Sequence, residues 1–292
     1  MGLGFALFAP AKAVFLMDAS FFALIAVDIG NNRIKLGRFD SPWNEPLPEP
    51  TDTISVDGRN PDLDRVAAWL SDPAAERAAW WIGSVNRPTT TLLLDWLRLE
   101  RPNDRVTLLA AGDLALKIAV ERPDMVGIDR LLDALAVNRI RAPERPAVVV
   151  DVGSAITVDL VSRDGVFLGG AILPGIAMSA RALHEFTDLL PLVDMAELST
   201  PPPALGTSTI PAMRSGLFWG AVGAIRQLVE CLTTGGSGEP QVFLSGGAGP
   251  AVASLLGQST RHVPHLTLGG IALAAAGGTA GGGEAGRNGV VE

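Results

Sequence analysis

Two apolar runs in this chain end in the same way. Phe21–Val27 leads into Asp28-Ile29-Gly30, and Ala147–Val150 leads into Asp151-Val152-Gly153. Residues 26–32 and 149–155 align without a gap at an offset of 123 residues (151 minus 28), about one domain length. Each reads as a buried strand, a tight turn and a return strand. Glycine in such a turn lets backbone N–H groups approach an anion, because no Cβ intervenes. The aspartate would repel a phosphate unless a cation lay between them, either Mg²⁺ with its water shell or a monovalent ion. Lys35, in the first return segment, is placed to neutralise phosphate charge. One Asp-x-Gly alone is most simply an ordinary turn. Two with matching flanks, one heading each half, point to phosphate chemistry on a duplicated unit.

The rest of the pattern supports the duplication. In the first half, strands are expected over 21–28, 31–40, 78–84 and 106–109, with helices over 63–70, 88–99 and 128–140. Residues 41–62 read as loop, with five prolines. Arg141–Pro146 carries two prolines and three charges without periodicity and reads as a boundary. Strands then recur over 147–151, 156–162, 166–171 and 241–244, with helices over 175–186, 209–232, 251–256 and 268–276. The expected class is α/β: two ribonuclease-H-like domains of the actin/Hsp70/sugar-kinase superfold, each a mixed five-stranded sheet flanked by helices. The expected domains are 21–142 and 147–276, with an extension over 1–20 and a flexible Gly-rich tail over 277–292.

Bulk properties exclude some alternatives. A net charge of −8 and a pI near 5.0 give no general attraction to nucleic acid or anionic lipid, and there is no run of Lys or Arg. One cysteine, Cys231, permits neither an intrachain disulfide nor a cysteine zinc site. Among the three histidines, His262 and His265 are neighbours that read as surface residues rather than a metal site. Residues 1–22 are apolar, but they lack a basic start and Lys12 interrupts them, so neither a signal peptide nor a membrane span is expected. Translation from Met17 is an alternative origin for that segment. A cytoplasmic protein is expected on either reading.

Two further motifs carry possible chemistry. Ser245-Gly246-Gly247-Ala248-Gly249 follows a strand and precedes a helix, as a nucleotide-contacting turn would and as a plain strand–helix loop also would. Gly127-Ile128-Asp129-Arg130 opens the strongest helix. An acid in a first helical turn is favoured by the macrodipole, so Asp129 reads equally as a cap or as a general base. Arg130 beside it has the fork geometry to hold a carboxylate.

In combination these motifs are recognisable. Residues 28–35, 123–130, 151–159, 169–175, 206–209 and Ser215-Gly216 occur in an order that resembles type III pantothenate kinases, once called the Bvg accessory factor family. The resemblance spans about residues 23–276. It implies ATP-dependent phosphorylation of pantothenate to 4'-phosphopantothenate, the first step towards coenzyme A. It further implies that Asp28, Ile29, Gly30, Asn31, Asn32, Arg33, Ile34 and Lys35 form the first ATP phosphate turn, with Asp28 near Mg²⁺. Gly127, Ile128, Asp129 and Arg130 would hold pantothenate, with Asp129 as proton acceptor. Asp151 would bind a monovalent cation, K⁺ or NH₄⁺, while Ser154 would contact ATP and Thr209 pantothenate. A homodimer with the substrate site near its interface is also implied. The chain departs from the family pattern where Asn32 and Ser154 replace threonines, and where Ala119 and Val120 stand in place of an aromatic residue. A kinase for another hydroxy acid or sugar, and an ATP-binding regulator without turnover, are the competing readings. Fold alone does not choose among them.

Overall fold

The computed structural model describes residues 23–40, 45–70, 77–193, 200–235, 238–247, 252–253, 255–257 and 260–280. The expected extension over 1–20, Ala248-Gly249, two residues of the 251–256 helix (251 and 254) and residues 281–292 of the expected tail lie outside those residues, while the tail's first four residues, 277–280, belong to the last helix.

The first sheet is built from β1 (Ala23–Ile29), β2 (Arg33–Phe39), β3 (Asp52–Asp57), β4 (Ala78–Ser84) and β5 (Arg105–Leu108), in the order β3-β2-β1-β4-β5. β6 (Lys117–Ile118) follows. The second sheet contains β7 (Ala147–Val152), β8 (Ala155–Val161), β9 (Val166–Pro174), β10 (Gln241–Ser245) and β11 (Thr260–His262). Its order is β11-β10-β7-β8-β9-β6. Without β6 the two sheets have one topology. In each, the first three strands are an antiparallel meander and the last two run parallel to the first. This is the duplicated ribonuclease-H-like arrangement. One expectation needs correction: the second sheet has six strands, not five. The sixth, β6, comes from the chain's first half and pairs parallel with β9 through Lys117↔Val166 and Ile118↔Phe167.

Helices α1 (Leu63–Trp69), α2 (Arg87–Glu100), α3 (Ile128–Ile140), α4 (Ile176–Glu185), α5 (Thr209–Thr233) and α6 (Leu266–Ala280) complete the structure. Burial sorts everything into five layers. Ile25, Val27 and Ile29 of β1 face Val66 of α1 with Leu93 and Leu97 of α2. Leu24 and Ala26, on the opposite face, meet Leu131, Leu132 and Leu135 of α3 and Leu268 and Ile271 of α6. That same central cluster takes in Ala147, Val149 and Phe243 of the second sheet. The sheet's other face, with Val148, Val150 and Val152, packs on Ile176 of α4 and on Leu217, Phe218 and Val222 of α5. Strands apolar on both faces, such as β1 and β7, are buried on both sides for this reason.

The order in the chain and the order in space differ at two points. α6, from the end of the described chain, packs on α3 and on β1, β2 and β4 of the first sheet. β6, from the first half, lies on the second sheet. α3 sits between the sheets, touching β4 on one side and β7 and β8 on the other.

Candidate active site

The twin turns lie at equivalent places and differ by one residue. β1 and β2 pair through Ile29↔Ile34 and Asp28↔Lys35, leaving four residues in the turn. β7 and β8 pair through Val152↔Ile156 and Asp151↔Thr157, leaving three. The ungapped alignment therefore holds up to the glycines and slips by one beyond them. Lys35 and Thr157 are the true counterparts, and the two aspartates face different partners. Gly30 N–H donates to the Arg33 carbonyl at 3.0 Å, and Gly153 N–H to the Ala155 carbonyl at 3.0 Å. Each turn is braced by a glycine at the end of its third strand: Gly58 N–H donates to Asn32 O at 2.9 Å, and Gly175 N–H to Ser154 O at 3.1 Å. Gly175 caps α4, so that helix starts on the second turn. In the first half the helix that reaches the turn is not the topological counterpart α1 but α2, after β4: its cap Asn86 also donates through Nδ2 to Gly30 O at 3.4 Å. Ile29 and Ile34 are fully buried in the core, so only their backbones are available to a ligand.

The third glycine turn touches the second aspartate. Ser245 pairs with Asp151, and Gly246 follows with φ +91°. A Cβ at Gly246 would collide with Asp151 Oδ1 and the Val152 carbonyl, so this position requires glycine on two grounds.

Asp129 sits in the first turn of α3, and its Oδ1 accepts the Arg130 backbone N–H at 2.9 Å. Burial raises its pKa, against the opposing pull of that N–H and of the Arg130 charge. The same pattern holds at Asp28 and Asp151. Burial pushes Asp28 up to about 7; Lys35, at 3.8 Å, opposes the shift, and Asp129 and Asp151 add to it. Burial raises Asp151 to about 6, again opposed by Lys35 and reinforced by Asp129 and Asp159. The three expected acids thus share one electrostatic neighbourhood, with Lys35 as the cation common to them.

Two more acids belong to this neighbourhood, and sequence reasoning missed both. Asp133, one helical turn after Asp129, is 4% exposed, and its Oδ1 has no hydrogen-bond partner. Burial and the nearby Asp151 hold its pKa well above the ordinary value, with a Thr267 hydrogen bond opposing. The spacing of four from Asp129 was the available signal. Asp159 of β8 binds the Arg130 guanidinium with both oxygens. The two-pronged fork expected for a substrate carboxylate is therefore taken up by an internal one.

Thr209 lies elsewhere. It opens α5 and lines an apolar groove of about 720 Å³ between α4 and α5, with Pro174, Leu183, Phe186, Met213 and Leu217. None of the aspartates lines that groove. Among the described residues no three Asp, Glu, His or Cys side chains form a direct metal site. The donors present are hard carboxylate oxygens, and the acids outnumber the cations beside them, Lys35 and Arg130. Such a set suits Mg²⁺, which keeps several waters and takes one or two carboxylates plus substrate phosphates.

A model of the type III pantothenate kinase family matches residues 24–231. The chain belongs to the type III pantothenate kinase family. The family member from Acidiphilium cryptum is 32% identical over 263 residues, 86% of this chain and 93% of that protein. The one from Alkalilimnicola ehrlichii is 33% identical over 252 residues, 85% of this chain and 96% of that one. A solved structure from Sinorhizobium meliloti, described as a suspected 2-dehydro-3-deoxygalactonokinase, has a TM-score of 0.50 at 13% identity. It covers 87% of this chain and 98% of its own, a likeness of fold. Type III pantothenate kinases are ATP-dependent phosphotransferases. Among the described residues no helix is long and apolar enough to cross a membrane.

Proposed function

We propose that this chain phosphorylates the terminal hydroxyl of pantothenate with ATP, the entry step to coenzyme A, and that Asp129 is the general base. The observation that carries this reading is the placement of Asp129. It is a half-buried carboxylate in a helix's first turn, within electrostatic reach of the aspartates of both phosphate turns. Burial raises its proton affinity, as a base needs, and the Arg130 N–H fixes one oxygen so that the other is available to the substrate hydroxyl.

The first turn, Asp28 to Lys35, receives the ATP phosphates on its backbone N–H groups, and Lys35 offsets their charge. Asp28 holds Mg²⁺ through water, and Asp151 holds a monovalent cation, K⁺ or NH₄⁺. These ions, when bound, supply positive charge against the phosphates and against the carboxylates that burial has crowded together. Ser154 keeps the hydroxyl of the family's threonine and contacts ATP. Gly127, Ile128, Asp129 and Arg130 form the pantothenate side of the cleft. Thr209 reaches that side from a second copy in a homodimer. The apolar α4–α5 groove, with Phe186 84% and Leu189 86% exposed beside it, supports an interface there. Such an enzyme works in the cytoplasm, free of membrane and nucleic acid.

The deciding experiment is purified protein with ATP, Mg²⁺, K⁺ and pantothenate, with the product identified by mass. Phosphopantothenate is expected. A folded protein that binds ATP and makes none would leave the regulatory reading ahead. Turnover of a different hydroxy acid would relocate the specificity.

A further inference from the structure

Asp159 is a charged residue at an apolar position. It lies on β8, opposite Val149 of β7 and Gly170 of β9, on the sheet face that carries Val161 into the central cluster. It is 2% exposed. A buried carboxylate is costly unless paired, and a buried ion pair gains little over apolar residues of the same volume. Stability therefore gives no reason for the pair, yet the surroundings are fitted to it. A Cβ at Gly170 would collide with Asp159 Oδ1 and with the Val158 carbonyl. The Arg130 guanidinium carbon lies 5.7 Å from the centre of the Phe167 ring. Arg130 Nε donates to Oδ2 at 3.0 Å and to Oδ1 at 3.2 Å, and Nη2 donates to Oδ1. Nη1 is the nitrogen outside this fork.

Arg130 is thus held at two points. Its side chain is tied to the second sheet, and its backbone N–H is tied to the Asp129 carboxylate. The helix turn bearing the candidate base is anchored to the strand pair that bears Asp151. We infer that Asp159 is a positioning residue: it fixes Arg130 so that a single guanidinium edge meets the acid group of the substrate, and it sets the first turn of α3 against the second phosphate turn. This role rests on the pantothenate kinase reading above.

The test compares Asp159→Asn, Arg130→Lys and the double variant in the full-length protein, measuring kcat, the KM of each substrate and Tm. Asp159→Asn is expected to raise the KM for pantothenate about tenfold or more, because a charge-assisted pair is lost. The KM for ATP is expected to stay within about twofold, since Asp159 hydrogen-bonds Arg130 and not the residues assigned to ATP. The double variant should be no worse for pantothenate than Arg130→Lys alone, because both changes act through one pair. A lower Tm with unchanged pantothenate KM would reduce Asp159 to a structural role, and independent, multiplying penalties would also overturn the inference. Should the Asn variant fail to fold, Asp159→Glu keeps the charge and shifts the fork by one methylene. The same KM split is expected there, and a wild-type KM would refute it. Wild-type protein that makes no phosphopantothenate sinks the proposed function; an active wild type with an Asp159→Asn variant just like it sinks only this inference.

Discussion

Asp129 and its acidic neighbours trade stability for chemistry, and pH exposes the trade. Asp28 and Asp151, at about 7 and about 6, and Asp133, well above the ordinary value, all bind protons more tightly folded than unfolded. Between about pH 4 and 7 the folded protein therefore holds more protons than the unfolded chain. Stability of the ligand-free protein should fall as pH rises through that window and level off above it. Thermal melts at about pH 5 and about pH 8 check this, and a higher Tm at the alkaline end would contradict it. Asp28→Asn should stabilise the ligand-free protein at about pH 8, by on the order of 2 kcal/mol, while abolishing turnover. Asp129→Asn should lower kcat by about 10³-fold, with ATP affinity, read by calorimetry, little changed. Asp28, Asp129 and Asp151 were legible in the sequence because each sits in a local motif. Asp133 was not, and Asp159, though it closes the 151–159 motif, carried no assignable role, because what makes both notable is long-range. A helix aspartate and a strand aspartate are unremarkable until the fold buries one without a full set of partners and pairs the other with Arg130.

At the scale of elements, the long periodic segments were readable and the short edge strands were not. α3 was expected over the residues it occupies, and β4 likewise, each from an apolar-rich run of the right length; α3 is not the one-faced amphipathic helix expected, because lying between the two sheets it is buried from Leu131 to Val137 without a break. β3 falls in the proline-rich stretch read as loop, and its alternation is masked by exposed ends. β6 and β11 have two and three residues, too few for any period, and exist only because a neighbouring strand offers its edge. The extra residue in the first turn was hidden for a related reason: the flanking sequences align without it, and only strand register reveals the slip. Close helix packing gives a test at this scale. A Cβ at Gly270 would collide with the Leu132 carbonyl, so α6 and α3 cross nearly backbone to backbone. Gly270→Ala should cost about 1–3 kcal/mol and lower Tm by about 3–10 °C. A variant melting with wild type would mean that the crossing relaxes freely.

For the molecule as a whole, the repeated Asp-x-Gly foretold the repeated sheet, and the shared topology bears this out. What it did not foretell is that the two halves are interleaved: β6 goes forward to the second sheet and α6 comes back to the first. Composition and period describe a segment's own faces, and say nothing of which sheet it will cover. Two predictions concern the assembled protein. Turnover should need K⁺ or NH₄⁺ and collapse in Na⁺ alone; indifference to the cation would remove Asp151 from its proposed role. Phe186→Asp should convert a dimer to a monomer in sedimentation and weaken pantothenate binding; a wild type that sediments as a monomer would move the Thr209 contact out of the site.

The return of α6 has a consequence for how such a chain can be divided. The Arg141–Pro146 connection invites a cut, yet neither fragment would own all its parts. The N-terminal piece would lack the helix that covers Leu24 and Ala26, and the C-terminal piece would lack an edge strand. Nicking there should leave the fragments clasped together, each completing the other. A gene split at that point should make its two products soluble only when they are expressed side by side. Rejoining the chain so that α6 precedes β1 is the rearrangement that would give the first half a life of its own.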